Sequence, residues 1–396
     1  MKKLRWTAAA VAAWISLDLY LGQKAHHKKK EDFQPPDFTS GKPRFFRRGD
    51  ELFAHMLKRI RRAENHIYMN FYIFRNDEVG SDIMDALMER ARAGVTVNLL
   101  IDWLGARIAP AKRRELKEAG VKLEYSQKPK LPFLFYSLNE RNHRKVTVID
   151  GEHAYVGGFN VGDEYTGNDP MIGSWRDYHL YIRGVAVASL GRQFARDWHS
   201  ACGEKLEIEL PEHQPDNEIP IQFISSDGEH VAAHFTNLFK RAEKSVLIGT
   251  PYYIPGPAMQ KEVLKLARRG IKVRILIPKN PDHPLVKDAA LHYFAELLEA
   301  GVDVRQFKYG FYHSKIILVD NTILDIGTAN FDMRSFNLNH EVNCTIEDDE
   351  WISSVVGKVE TDFFKHSEKI TLNYLRSRTR WEKTREHTAM MFSSWL

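Results

Sequence analysis

The sequence predicts an α/β protein made of two duplicated α/β/α sandwich halves with mostly parallel sheets. The halves are related by a pseudo-two-fold axis and share one active site. Three observations carry this prediction. First, one stretch occurs twice: NHRKVTVIDGEHAYVGGFN from Asn142 to Asn160, and YHSKIILVDNTILDIGTAN from Tyr312 to Asn330. His313, Lys315, Asp320, Gly327 and Asn330 each lie 170 positions beyond His143, Lys145, Asp150, Gly157 and Asn160. Polar residues kept in one register amid changed apolar ones are the mark of an internal duplication. Second, strand-like and helix-like runs alternate before each copy, which implies parallel strands with helices on both faces. Third, a break rich in proline and acids separates the two series between Gly203 and Pro220.

At 396 residues the chain has room for two cores. The N-terminal segment from Trp6 to Gly22 is mostly apolar between basic flanks, with Asp18 inside it. It is slightly short of a bilayer span and is followed by no A-x-A cleavage site, so it reads as an uncleaved membrane anchor. The larger basic cluster after it, Lys24, Lys28, Lys29 and Lys30, favours a cytoplasmic catalytic body. The expected organisation is anchor and basic flank 1–30, linker 31–48, first half 49–205, linker 206–219, second half 220–372 and a basic-apolar tail 373–396.

Within the first half, Asp50–Ala63 has a helical pattern and His66–Phe74 reads as a strand. Ser81–Ala93 is an amphipathic helix stopped by Gly94, and Val95–Asp102 is the next strand. A helix over Pro110–Ala119 and a strand over Val121–Ser126 follow. The second half repeats this order: Arg241–Pro255 echoes Arg62–Phe74, Ala267–Pro278 echoes the strand ending at Asp102, and a helix over Leu285–Ala300 leads to Val302–Phe307. Cys202 and Cys344 make neither a disulfide framework nor a cysteine-rich zinc site, and read as buried thiols.

In each repeat His and Lys are two residues apart in a β-rich run, which puts both on one face of a strand. Asp150–Gly151 and Asp320–Asn321 are turn signals, so each motif is a hairpin with its Asp at a strand end, bracing rather than touching a substrate. Two halves meeting about a two-fold axis would bring His143, Lys145, His313 and Lys315 into one pocket suited to a phosphate oxyanion. One imidazole would attack and the other donate a proton. Lysine beside each histidine disfavours a metal. Each half also offers an acid beyond its own histidine to hold the ring: Asp177, 177 − 143 = 34 residues on, and Glu341, 341 − 313 = 28 residues on. Asn160 and Asn330 could cap helices, but their shared register favours phosphate contact.

H-x-K-x-x-x-x-D with a downstream G-x-x-N, present twice, resembles the phospholipase D superfamily. FYIFRNDEVG, RNHRKVTVIDG with GGFN, TPYYIP, GFYHSKIILVD with GTANFDMRS, and NHEVN resemble bacterial cardiolipin synthases of that type, in a short form with one N-terminal hydrophobic segment. The resemblance covers nearly the whole chain after the first linker. It implies transfer of a phosphatidyl group from one phosphatidylglycerol to another with release of glycerol, without metal or nucleotide cofactor. Carried over by position, His143 would be the nucleophile and His313 the acid and then the base. Asp150 and Asp320 complete the two catalytic motifs. Lys145, Lys315, Asn160 and Asn330 would hold phosphoryl oxygens, and Asp177 and Glu341 would orient the imidazoles. Many such synthases begin with two membrane spans, where this chain has one short candidate.

Two further stretches fit a lipid substrate. Leu131–Leu138 is apolar and aromatic between basic flanks, and reads either as a core strand or as a loop entering the bilayer. The tail from Arg376 is basic and then apolar, fitting an anionic membrane surface or a helix packed on the body. Nucleic acid is disfavoured, because 57 Lys and Arg against 52 Asp and Glu leave no strong basic excess. The rival readings are a hydrolase using the same site and an inactive membrane-bound binding protein.

Overall fold

The computed structural model describes residues 2–27, 33–167, 169, 173–208, 218–280, 282 and 285–391. Its centre is one continuous fifteen-stranded sheet. The first half supplies β1 Thr39–Phe46, β2 His66–Phe71, β3 Thr96–Asp102, β4 Lys122–Ser126, β5 Val146–Ile149, β6 His153–Gly157 and β7 His179–Arg183. The second supplies β8 Ile219–Asp227, β9 Ser245–Gly249, β10 Lys272–Pro278, β11 Asp303–Phe307, β12 Ile316–Val319, β13 Ile323–Gly327, β14 His340–Ile346 and β15 Ser367–Lys369. From one edge the order is β4-β3-β2-β5-β6-β7-β1-β8-β14-β13-β12-β9-β10-β11-β15. Apart from β15, this order reads the same from either end when each strand is replaced by its counterpart in the other half.

Parallel pairing occurs where helices cross over, in β2–β3–β4 and β9–β10–β11. The motif hairpins β5–β6 and β12–β13 are antiparallel, as their tight turns require, and so are the strands from β6 to β13. The sheet is therefore mixed. Its seam is the antiparallel pair β1–β8, with Thr39 opposite Ile221. β1 lies inside the stretch read as a linker, because Gly41, Lys42, Pro43 and Arg44 hide a strand signal in a run that is ordered only by its neighbours. The second boundary, 206–219, falls mostly on residues outside the described set.

One face of the sheet carries a core common to both halves. Tyr68, Val146, Val148 and Trp198 pack in the same cluster as Leu318, Val342, Cys344 and Ile352, beneath helices Val187–Cys202 and Asp349–Phe364. The other face carries a separate core in each half, under helices Gly49–Ile60 and Glu78–Arg92 in the first and Val231–Arg241, Gly256–Arg268 and Val286–Glu299 in the second. Burying a large apolar side chain in the common layer stabilises by about 1.5–3 kcal/mol, so the halves are joined energetically as well as by hydrogen bonds.

Polar contacts add to this seam. The buried Arg144 guanidinium donates to Asp197 Oδ1 (2.7 Å), to the Ser226 carbonyl (2.8 Å), to the Glu341 carbonyl (3.1 Å) and to Asp227. Asp197, Asp227 and His340 approach one another closely enough to suggest a cation site, but that guanidinium already lies against both acids.

The N-terminal segment forms a helix, Lys2–His27, yet no helix among the described residues is long and apolar enough to cross a membrane. This corrects the reading of a spanning anchor. Asp18 is buried and accepts a hydrogen bond from Tyr136 N–H (2.9 Å), which fixes the helix against the short helix Leu134–Asn139. Trp14 packs edge-on to Phe135 at 4.9 Å. The aromatic run is thus a covered loop and helix rather than a core strand, with Leu131 exposed. At the other end, helix Arg380–Met391 packs on the body, with Arg385 on Asp288 (2.5 Å) and Ala389 fully buried. Lys28, Lys29, Lys30 and residues 392–396 lie outside the described set. Cys344 is buried as expected, whereas Cys202 is exposed at its helix end.

Candidate active site

Each motif histidine leaves the sheet of its own half and pairs with the opposite one. Asn142 bridges His340 in parallel, with His143 N–H donating to the His340 carbonyl (2.9 Å). In mirror fashion Phe311–Tyr312 pairs with Trp175–Arg176, and His313 N–H donates to the Arg176 carbonyl (2.7 Å). His143 and Lys145 therefore precede β5 rather than lie in it, and the same holds for His313 and Lys315 before β12.

This exchange decides which acid meets which ring. His143 Nδ1 lies 3.0 Å from both Glu341 oxygens, and His313 Nδ1 lies 2.7 Å from Asp177 Oδ2. The pairing is crossed, correcting the expectation that each half orients its own histidine. The carboxylates follow directly after His340 and Arg176, the residues that bridge the seam. Glu341 is fixed by hydroxyl donors, Thr328 Oγ1 (2.6 Å) and Ser335 Oγ (2.9 Å). Asp177 occupies space left by Gly158, where a Cβ would meet its carboxylate at 2.0 Å.

Both rings line one cavity of about 620 Å³, together with Tyr72, Arg75, Asn160, Asn330, Asp332 and Arg334. Tyr72 packs edge-on to His143 (5.1 Å) and Trp175 against His313 (5.0 Å). Lys145 Nζ donates to the His143 carbonyl (2.7 Å), and Lys315 Nζ lies 2.7 Å from His313 Nδ1. Asn160 Oδ1 accepts from Ile73 N–H (3.1 Å), while Asn330 Nδ2 donates to Asp332 Oδ2 (3.0 Å).

Burial dominates the electrostatics. It lowers Lys145 to about 7 and Lys315 to about 8, against the pull of Glu341 and Asp177. It lowers His143 to about 4 despite Glu341, and puts His313 well below its usual value, helped by Lys315. Asp177 is raised to about 6 by burial, with Lys315 opposing. For Glu341, burial is outweighed by His143, Lys145 and the Thr328 hydroxyl, so its carboxyl sits below the usual range. Two neutral imidazoles held at Nδ1 by carboxylates, beside two buried ammonium groups, make an anion-binding site with two proton-transfer groups.

Asp150 and Asp320 are not in this cavity. Asp150 accepts from the backbone N–H groups of Glu64, Asn65 and His66 (2.8–2.9 Å), and Asp320 from those of Glu243, Lys244 and Ser245 (2.6–2.8 Å). They tie each motif hairpin to the start of β2 or β9, in the bracing role that strand-end placement implies and not at the reacting centre. Sequence reasoning missed Tyr72, Trp175, Thr328, Ser335, Asp332 and the cavity arginines. FYIFRNDEVG and GTANFDMRS held part of that signal, since polar residues there interrupt apolar runs.

The family model for "Cardiolipin synthase, PLD-like domain" matches residues 56–198 and 235–366, one block in each half. The chain belongs to this phospholipase D-like family. A minor cardiolipin synthase of Bacillus subtilis is 37% identical over 370 residues, covering 93% of this chain and 92% of that protein. A cardiolipin synthase of Halalkalibacterium halodurans is 40% identical over 356 residues, covering 87% and 70%. Among solved structures, phosphatidylserine synthase of Haemophilus influenzae aligns with a TM-score of 0.71 at 16% identity, over 94% of this chain and 100% of that one. Polyphosphate kinase of Porphyromonas gingivalis aligns at 0.57 and 13% identity, over 87% and 56%. At such identities these two speak for the fold alone.

For this member of the family, Asp150→Ala and Asp320→Ala should each cost about 2 kcal/mol of stability, because three backbone donors lose their acceptor. Denaturant unfolding of the two variants measures this. Glu341→Gln should lower the titration of His143 further and leave that of His313 in place, read by histidine NMR. A shift at His313 instead would contradict the crossed pairing.

Proposed function

We propose that the chain is a cardiolipin synthase, transferring a phosphatidyl group from one phosphatidylglycerol to another through a phosphohistidine. The observation that carries this is the crossed arrangement: two histidines, each held at Nδ1 by an acid of the other half, face one cavity, and a buried lysine lies against each of them. In the first step His143 Nε2 attacks phosphorus, the bond to the head-group glycerol oxygen breaks, and His313 Nε2–H gives that oxygen its proton. Glycerol leaves. In the second step the primary hydroxyl of another phosphatidylglycerol gives its proton to His313 Nε2. Its oxygen attacks phosphorus, and the bond to His143 breaks.

His143 suits the nucleophile because Glu341 stays ionised and holds Nδ1–H, leaving the Nε2 lone pair free. The phosphodiester supplies the negative charge that both imidazoles otherwise lack, and so raises His313 toward the protonated form it needs. Lys145 and Lys315 hold the phosphoryl oxygens, with Asn160 beside them. Asn330 has its amide group committed to Asp332, which points to a different part. Both substrates are membrane lipids, so the enzyme works at an anionic membrane surface. Trp6, Trp14, Leu17 and Leu131 are exposed and offer apolar contact to it. The catalytic halves lie on the cytoplasmic side in this reading.

Hydrolysis is the competing outcome, because water can also attack a phosphohistidine. Purified protein given labelled phosphatidylglycerol should yield cardiolipin and glycerol. His143→Ala and His313→Ala should each lower that rate at least about a thousandfold. Phosphatidic acid as the sole product would make the chain a phospholipase. The pH dependence of kcat/KM should be bell-shaped. Activity falls as pH drops through about 4, where His143 takes a proton, and as pH rises past about 7–8, where the lysines lose theirs.

A further inference from the structure

The two halves of the cavity are not chemically alike, although their backbones match. At the first asparagine, Asn160, the carbonyl Oδ1 is taken by Ile73 N–H, and the amide Nδ2 faces Tyr165 OH at 3.4 Å. At the second, Asn330, the arrangement is reversed. Its Nδ2 donates to Asp332 Oδ2 (3.0 Å), and its buried Oδ1 has no hydrogen-bond partner among the described residues. A carboxylate in that position accepts, so the amide nitrogen must be the atom facing it. Asn339, on the same wall, also has a buried Oδ1 without a partner, while its Nδ2 lies 3.4 Å from Glu341 Oε1. The first-half counterpart of Asp332, at 332 − 170 = 162, is glycine.

Buried carbonyl oxygens without donors are costly, and here two of them line the cavity that also holds the buried Asp332 carboxylate. All three groups accept hydrogen bonds. These three groups offer no donor to a phosphoryl oxygen, which the Arg141 and Arg334 guanidinium groups of the same cavity suit instead, whereas a hydroxyl finds acceptors in them. We propose that Asn330, Asp332 and Asn339 form a subsite for the vicinal hydroxyl of a glycerol head group. It positions the glycerol that leaves in the first step and the head group that attacks in the second. This rests on the phosphatidyl-transfer reading and adds what selects glycerol over other alcohols. One subsite serves both steps because the second is the reverse of the first with a substituted glycerol. Asp332 also accepts from Ser335 N–H (2.7 Å), so its carboxylate is held rigidly. Burial raises it to about 6, leaving it ionised at neutral pH.

The reverse reaction gives a clean test, since both alcohols tried are small and soluble. Cardiolipin in detergent micelles is incubated with the full-length protein and graded labelled glycerol or ethanol, and labelled phosphatidylglycerol, phosphatidylethanol and phosphatidic acid are resolved. Cleavage of cardiolipin releases unlabelled phosphatidylglycerol with any acceptor, so the label alone reports transfer to glycerol. Asp332→Asn keeps an oxygen for the Ser335 amide and removes the charge. It should raise the glycerol concentration giving half-maximal labelled phosphatidylglycerol about tenfold, as loss of a hydrogen bond to a charged group does, and shift the ethanol value far less. Asn339→Ala should raise the glycerol value several-fold with the same selectivity, and carries the test if the first variant melts early. Equal changes for both alcohols, or none for glycerol, would overturn the subsite. The wild-type protein tests the parent reading separately: phosphatidic acid with no label entering phosphatidylglycerol would remove phosphatidyl transfer, and the subsite with it.

Discussion

The hydrogen bond between each histidine and a carboxylate of the opposite half is the contact on which the rest of the architecture depends. A ring buried as deeply as His143 or His313 takes one tautomer only if an acceptor holds Nδ1, and neither half supplies that acceptor to its own histidine. The seam must therefore be stiff. The β1–β8 pairing, the common apolar layer and the Arg144 contacts to Ser226 and Glu341 all serve that stiffness. The short bridges at Asn142–His340 and Tyr312–Arg176 bring the site to register, because in each a carboxylate follows directly after the bridging residue.

Burial has a second effect on the same groups. It strips charge from lysines and histidines that stand close together, so the unliganded site avoids the full repulsion of four cations. In the proposed reaction a phosphodiester restores what burial removes, so binding and activation are coupled: the anion that the site would receive is also the agent that would set the proton on His313.

Much of this was legible in the chain itself. The 170-residue offset located both motifs and the matching order of elements, because polar residues in fixed register survive drift in the apolar ones around them. Strand and helix positions before each motif follow from period and stop signals, as at Gly94 and Gly120. What could not be read was pairing across long separations. Nothing local to Asp177 tells it to meet His313 rather than His143, and nothing in TSGKPRFF announces a strand that joins the halves. The N-terminal segment misled for a physical reason. Its apolar composition suits a bilayer, but Asp18 finds a backbone donor at Tyr136, and that contact lies on the protein.

The glycine at 162 opposite the aspartate at 332 has a wider meaning. An assembly of two identical chains must carry the same residue at both equivalent places, so any gain on one side is imposed on the other. Joining the copies in one polypeptide lifts that constraint. The paired positions have separated: Gly158 leaves room for Asp177 where Thr328 donates to Glu341, Asn160 accepts from Ile73 where Asn330 donates to Asp332, and glycine stands at 162 where Asp332 accepts. A pocket built on symmetry can then tell its two ends apart, as any site must that handles two unlike ends of one molecule.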